Sequence, residues 1–494
     1  MTGLSELVAR GKRIASHRGA PRAAVDAATW REAAASLRDG HTTLLGLWGE
    51  RDAAHLALLD EHAHEIAVLS LACPDRRFPS VAALHPPANR LERAMRDLYG
   101  LDAQDAPDRR PWLDHGRWPG SRAEAKAPYE FLPTEGDHLH RIPVGPVHAG
   151  IIEPGHFRFT AGGETVVRLE QRLGYVHKGI EGLMAGATLE RAALLAGRVS
   201  GDSTVAYAIA FARAAEAALG TAAPHRAHWL RALMAELERI ANHFGDIGAI
   251  CNDASFSLMH AHTGVLRERV LRAADAAFGH RLMRDVVVPG GVARDLHGDG
   301  LIALHELVAE ARKSFPALIE LYDNTASLQD RTVDTGRLRP ELARQFGAGG
   351  YVGRASGRGF DARRDLAYAP YNELSFDVPQ RGDGDVNARV WIRIREVEAS
   401  LGLIGQILER LPAGPVRADL PRQAGEGIAL AEGFRGDVLA WLRLDADGTV
   451  AHCHLRDPSW FQWPLLEAAI DGNIVADFPL CNKSFNCSYS GHDL

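Results

Sequence analysis

The chain has 494 residues, 46% of them hydrophobic and 24% charged, with a formal net charge of -7. That is long enough for two or three domains with large cores, and the balance is that of a folded globular protein. It excludes several classes. The acidic balance gives no general basis for nucleic-acid binding. No run approaches the roughly 20 apolar residues of a membrane span. The N-terminal stretch lacks the apolar segment of a secretory signal.

Residues 1–40 carry seven Lys/Arg against four Asp/Glu and are rich in alanine, which predicts a short helix or a loose arm. Residues 41–101 alternate short apolar runs (TTLLGLWG, IAVLSLAC) with helical stretches and read as a small α/β domain. In NRLERAMRDLYG the residues Leu91, Met95 and Leu98 fall on one helix face. Pro107, Pro111, Pro119, Pro128 and Pro133 prevent regular structure between 102 and 140, which predicts a strap ending in a linker over 121–140.

From 141 to 494 the pattern is mainly helical with peripheral hairpins, giving an α+β chain overall. HFRFTAGGETVVRLEQRLGYV predicts one hairpin, turning at Gly162–Gly163. Helical periodicity follows over 187–219, 225–246, 261–278, 301–327 and 386–410, with stripes wide enough for a buried bundle. DVLAWLRLDADGTVAHCHLR predicts a second hairpin around Asp447–Gly448.

The five cysteines (Cys73, Cys251, Cys453, Cys481, Cys487) form no C-x-x-C and read as free thiols. No set of cysteines suits an iron–sulfur cluster. Neither G-x-G-x-x-G in a strand-to-helix setting nor G-x-x-x-x-G-K-[ST] occurs, so direct NAD binding is not expected.

Two segments carry the chemistry: RVSGDST (198–204) and NCSYSGHDL (486–494). They resemble the segments R-x-C-G-x-C and D-P-C-x-x-C that hold the nickel–iron centre in large subunits of [NiFe] hydrogenases. The four thiolate positions are here Ser200, Ser203, Ser488 and Gly491. Hydroxyls and glycine do not replace soft thiolate ligands, so no metal is expected. The resemblance extends over 141–494, through GPVHAGII, GYVHKGIEGLMAG, RALMAELERIANHFGDIG, VVPGGVARDL and PSWFQWPLLEAAIDGNIVADFPL. It covers the group 4 membrane-bound hydrogenases and the 49-kDa-type subunit of respiratory complex I. Residues 41–120 resemble the 30-kDa-type subunit of complex I, most clearly in NRLERAMRDLYGLDAQDAPDRRPWL.

The resemblance implies a cleft between Arg198–Gly201 and Ser488–Gly491. In complex I that cleft is the head of the quinone chamber, lined by a histidine and a tyrosine. The quinone-facing histidine is here Ile152, the tyrosine position is Gly201, and His148 keeps the first histidine of the loop. Asp202, Asp253 and His148 are therefore the candidate proton donors, and Ser200, Gly201, Ser203, Ser488, Gly491 and His492 the candidate lining. Asp202 has the alternative reading of a helix cap, and His492 of an exposed terminal residue. Glu181 and Arg198 are expected to pair inside the site, and Arg354, Asp361 and Arg364 to form a buried charge network.

The implied function is that of a subunit of a membrane-bound redox complex, NADH:quinone-oxidoreductase-like or formate-hydrogenlyase-like, without its own nickel–iron centre. The alternative is a catalytically vestigial structural or coupling subunit. The implied partners are a [4Fe–4S] small subunit, a ferredoxin-like subunit and membrane ion-translocating subunits. A quinone is the possible acceptor, and the iron–sulfur cluster lies in a partner. The implied place is the cytoplasmic face of the membrane, held through those partners.

Overall fold

The computed structural model describes residues 3–118 and 129–494. Pro119, Pro128 and the first part of the expected linker, 121–128, lie outside these residues.

The strand Thr43–Gly49 is buried on both faces, which explains its unbroken apolar run. Leu44 and Leu47 pack toward the N-terminal helices, while Leu45 and Trp48 pack toward a second sheet. A bulge between Leu44 and Gly46 produces that change of phase. The strand ends a five-stranded sheet ordered Lys12–Arg13, Arg22–Val25, Glu65–Ala72, Ala53–Asp60, Thr43–Gly49. The pair Arg22–Val25 and Glu65–Ala72 is parallel and the other pairings are antiparallel. Residues 1–40 therefore form no loose arm. They supply two strands of this sheet and the helix Ala27–Arg38, capped by Asp26 through a 2.8 Å bond from Thr29 N.

The second sheet contains Val450–Arg456, Gly436–Leu444 and Gly425–Gly433, with His17–Arg18 added in parallel. The two sheets face each other through Trp48, Leu59, Ile428, Leu439 and Trp441. Behind the second sheet lies the alanine-rich helix Thr204–Leu219. It approaches so closely that a Cβ at Gly427 would sit 2.2 Å from Ala214 O. Small residues on both surfaces allow this contact.

The remaining helices form the bundle that periodicity indicated: His225–Asp253, Ser257–Phe278, Gly298–Asn324 and Val386–Arg410. The hairpin His156–Gly162/Thr165–Arg172 forms as expected, with Leu139–Val144 added at its edge, so regular structure starts inside the expected linker. No helix among the described residues is long and apolar enough to cross a membrane.

The helical stretch expected over 187–219 breaks into Leu189–Ala196 and Thr204–Leu219. The break, 197–203, holds all of the first candidate segment except Thr204, which opens the second helix. The second, 486–494, follows the helix Phe478–Phe485, which the fully buried Arg389 and Arg393 hold from below. Arg389 Nε donates to Ser484 Oγ at 2.9 Å, and Arg393 Nη2 to Ser484 O at 2.8 Å. Arg393 also pairs with Asp246 at 3.1 Å, whose other oxygen accepts from Asn486 Nδ2 at 2.8 Å. Long-range charged hydrogen bonds thus fix where the second segment starts.

Candidate functional site

The two segments meet through their serines. Ser200 Oγ and Ser488 Oγ are 3.3 Å apart, and both residues are buried. Ser200 Oγ donates to Asp202 Oδ1 at 2.6 Å, and Ser203 Oγ donates to the same oxygen at 3.2 Å. Ser488 Oγ accepts from Gly491 N at 2.9 Å and so caps the short helix Tyr489–Asp493.

Arg435 occupies the space between the segments. It lies in the two-residue turn joining Gly425–Gly433 to Gly436–Leu444, and the paired glycines let the chain reverse there. Its Nη1 and Nη2 bond Asp202 Oδ1 and Oδ2 at 2.9 and 2.6 Å, and Nη1 also lies 3.2 Å from Ser203 Oγ. Its Nε donates to Asn486 O at 2.5 Å. One planar cation therefore ties both segments together bidentately. Burial opposes ionisation of Asp202, but the Arg435 guanidinium and the two serine hydroxyls outweigh it and hold the carboxyl at about 2.

Asp202 is not the helix cap. That task falls to Glu238, whose carboxylate accepts from Val205 N at 2.7 Å and Ala206 N at 3.0 Å. Burial pushes Glu238 up to about 8 despite these bonds. Asp202, Glu238, Asn242 and Gly201 line a cavity of about 100 Å³ on one side of the cluster.

Gly491 has its own constraint. A Cβ there would lie 2.3 Å from Asp457 Oδ2, the oxygen that accepts from Tyr207 OH at 2.6 Å. The Tyr207–Asp457 bond thus takes the space that a side chain at 491 would need.

The other expected lining residues divide. His148 reaches the second segment, with Nε2 3.2 Å from Tyr489 OH. Asp253 does not join the cluster. It ends the helix His225–Asp253, where burial raises its carboxyl while Lys483 lowers it, and the residue of that helix that meets the second segment is Asp246. His492 is neither exposed nor in the cleft. It is fully buried, stacks on Trp460 at 4.0 Å and bonds Asp493 Oδ1 at 2.8 Å.

Glu181 and Arg198 do not pair. Exposed Arg198 bonds Asp285, and Glu181 accepts from His454 Nδ1 and Leu455 N, both at 2.9 Å, and from Tyr99 OH at 3.2 Å. The buried charge network exists around Arg354 and Asp361, but its third member is Arg363 rather than the exposed Arg364. Glu236, Glu396 and Glu432 also belong to it, and the buried Arg239 and His243 extend it. Sequence reasoning missed Arg435, Glu238, Asp457 and Asp246. The one available signal was a trio of charged residues, Glu432, Arg435 and Asp437, in a strongly apolar hairpin (AEGFRGDVLAWL).

These residues do not fit a nickel–iron centre. The donors are hydroxyls and a carboxylate already bound to a guanidinium, hard oxygen groups whose charge Arg435 already neutralises. Cys487 is adjacent, but burial pushes its thiol well above the usual range, which disfavours a thiolate ligand. Among the described residues no group of three or more His, Cys, Asp or Glu side chains is arranged to hold a metal ion.

Comparison with known proteins agrees with this architecture. Residues 255–424 match the family model of the respiratory-chain NADH dehydrogenase 49 Kd subunit, and residues 23–129 that of the 30 Kd subunit. The chain is 32% identical over 439 residues to formate hydrogenlyase subunit 5 of Escherichia coli, covering 84% of this chain and 77% of that protein. It is 31% identical to an NADH-quinone oxidoreductase subunit of Desulfotalea psychrophila, covering 70% of this chain and 95% of that protein. A chain in the structure of the membrane-bound sulfane sulfur reductase, an archaeal respiratory membrane complex, superimposes with a TM-score of 0.68 at 25% identity, covering 72% of this chain and 99% of that one. The protein thus belongs to the family of membrane-bound hydrogenase large subunits and 49-kDa-type complex I subunits, with a 30-kDa-type module in the same chain.

Proposed function

We propose that this chain is the large peripheral subunit of a membrane-bound redox complex related to complex I, and that it does no metal chemistry of its own. Its partners supply the electrons through a [4Fe–4S] small subunit and a ferredoxin-like subunit. Ion-translocating membrane subunits hold it at the cytoplasmic face. The observation that carries this reading is the Arg435–Asp202 pair, with Ser200, Ser203 and Ser488 closed around it. The family's reaction centre is here a polar cross-link.

Of the two readings, a structural or coupling role is the better supported at this position. Quinone reduction requires a ring-sized space and a proton donor. The adjacent cavity of about 100 Å³ is smaller than the roughly 150 Å³ that houses benzene in an engineered apolar cavity. Asp202, held at about 2, is ionised at neutral pH, and although Glu238, at about 8, keeps a proton beside the same cavity, the space is too small for the ring. What joins the two segments is the arginine, while Ile152 stays half-buried.

The test is the complex purified from native membranes, assayed for iron, nickel, hydrogen turnover and quinone reduction. Iron with acid-labile sulfide in the partners, no nickel on this chain and no hydrogen turnover are expected. Stoichiometric nickel on this chain with hydrogen turnover would overturn the reading. The double change Ser200→Ala/Ser488→Ala should leave electron transfer within about twofold. A loss of a hundredfold with the complex intact would restore an acceptor at this position.

A further inference from the structure

A larger cavity, of about 200 Å³, lies at the seam between the two fused modules, with Asp493 and Leu494 in its lining. Its walls include Trp48, Leu91, Met95 and Trp460, all buried, with Leu98 39% exposed at the mouth. The helix Asn89–Tyr99 supplies one wall, and the segment Gly179–Gly182 faces it. The volume exceeds the roughly 150 Å³ known to take benzene and is well below that of a drug-sized site.

The polar end of the cavity is Glu181 with Tyr99 and His454. An ionised carboxylate has about four acceptor sites. Three are used: Oε1 accepts from His454 Nδ1 and Leu455 N, and Oε2 from Tyr99 OH. The Glu181 side chain keeps 12% of its surface accessible. What remains on Oε2 is acceptor capacity, and the Tyr99 oxygen also accepts. A ligand head that only accepts would leave the carboxylate unmatched, and an anion would be repelled by Glu181. Asp493, also lining the cavity, has its four acceptor sites filled, two by Gly174 N, which bonds both oxygens, and one each by Val176 N and His492.

The geometry points to a binding site at this seam for a neutral molecule of one substituted benzene ring that carries a single hydroxyl donor, of the phenol class. The apolar walls take the ring, and Glu181 Oε2 takes the hydroxyl proton in a hydrogen bond. The site is independent of the Ser200–Ser488 cluster, so it stands or falls separately from the function proposed above.

Gly182 makes the test clean. It lines the cavity within the helix Ile180–Met184, and a Cβ there meets nothing within 4 Å. Gly182→Phe therefore grows into open space at the mouth without disturbing packing. The probes are p-cresol and 4-methylanisole, equal in ring but differing in the donor hydroxyl, titrated into the full chain by calorimetry and tryptophan fluorescence. Saturable binding of p-cresol is expected, at least about tenfold tighter than 4-methylanisole, as a hydrogen bond to a charged group requires. Gly182→Phe should abolish it. Glu181→Gln should bring the two probes within about threefold, because His454 and Leu455 keep the amide oxygen and leave the donor NH2 toward the ligand.

No p-cresol binding, equal affinity for the two probes, or binding that survives Gly182→Phe would overturn the proposal. So would binding to the isolated chain that disappears in the native complex, since the cavity would then belong to a partner's side chain.

Discussion

Arg435 bonds two side chains of the first segment, Asp202 and Ser203, and one main-chain carbonyl of the second, Asn486 O. Removing it strands Asp202 against two serines that already donate to it. Arg435→Met is expected to lower stability by about 2 kcal/mol, less than for a fully buried pair because Asp202 keeps 35% of its side-chain surface accessible. Asp202→Leu with Arg435→Met should recover at least half of that loss, as read from urea midpoints of the full chain. Glu238 gives a pH-dependent counterpart. Its folded value, about 8, lies above the ordinary 4.5, so its contribution is complete below pH 4.5 and is lost as pH rises through 8. Glu238→Gln keeps one acceptor oxygen for these two N–H groups, Val205 N and Ala206 N, and removes the titration, a cost that does not vary with pH. The stability of wild type relative to this variant should therefore fall between pH 5 and 9 in parallel denaturant titrations.

At the scale of elements, the second site segment is a five-residue helix held by caps and contacts from elsewhere. Ser488 caps it, Trp463 Nε1 donates to Ser488 O at 3.3 Å, and Ser459 Oγ accepts from Ser488 N at 2.8 Å. Such a short helix is unstable alone, so tertiary contacts decide its presence. Gly491 is where it touches Asp457. Gly491→Ala should cost about 1–3 kcal/mol through overpacking, measured by thermal unfolding. Putting a cysteine back at 491 should cost as much or more for the same reason, so a thiolate set is not restored by substitution alone. The helical stretch over 187–219 was legible from periodicity. Its interruption was not, because Gly197 and Gly201 are tolerated in weakly patterned helices, whereas the Glu238 carboxylate that starts Thr204–Leu219 comes from another element.

At the scale of the whole molecule, the two modules form one body across the facing sheets. Glu50 pairs with Arg443 at 2.7 Å, Glu61 with Arg358 at 2.7 Å, and Arg22 with Glu426. Histidines lie in and near this seam. Burial lowers His17 and His55 to about 4, and His85 to the same level inside the N-terminal module. Each folded value lies below the ordinary 6.5, so the neutral form is favoured, and the associated stability is complete above pH 6.5 and lost as pH falls toward 4. At full shift each site contributes about 3 kcal/mol. Acid unfolding should begin near pH 6, with the modules losing structure together in calorimetry and far-UV dichroism. His55→Gln should shift its onset to lower pH.

The sequence by itself determined the loss of the thiolates, the helical bundle, the hairpins and the two-module order. Those depend on residue type at a fixed spacing or on short-range periodicity. Only the tertiary structure decided what fills the vacated centre, which of Arg363 and Arg364 turns inward, and that His492 stacks on Trp460. Arg435 and Asp202 stand 233 residues apart, and no local pattern links them. A buried charge is kept only where a partner reaches it, and that reach is a property of the folded chain.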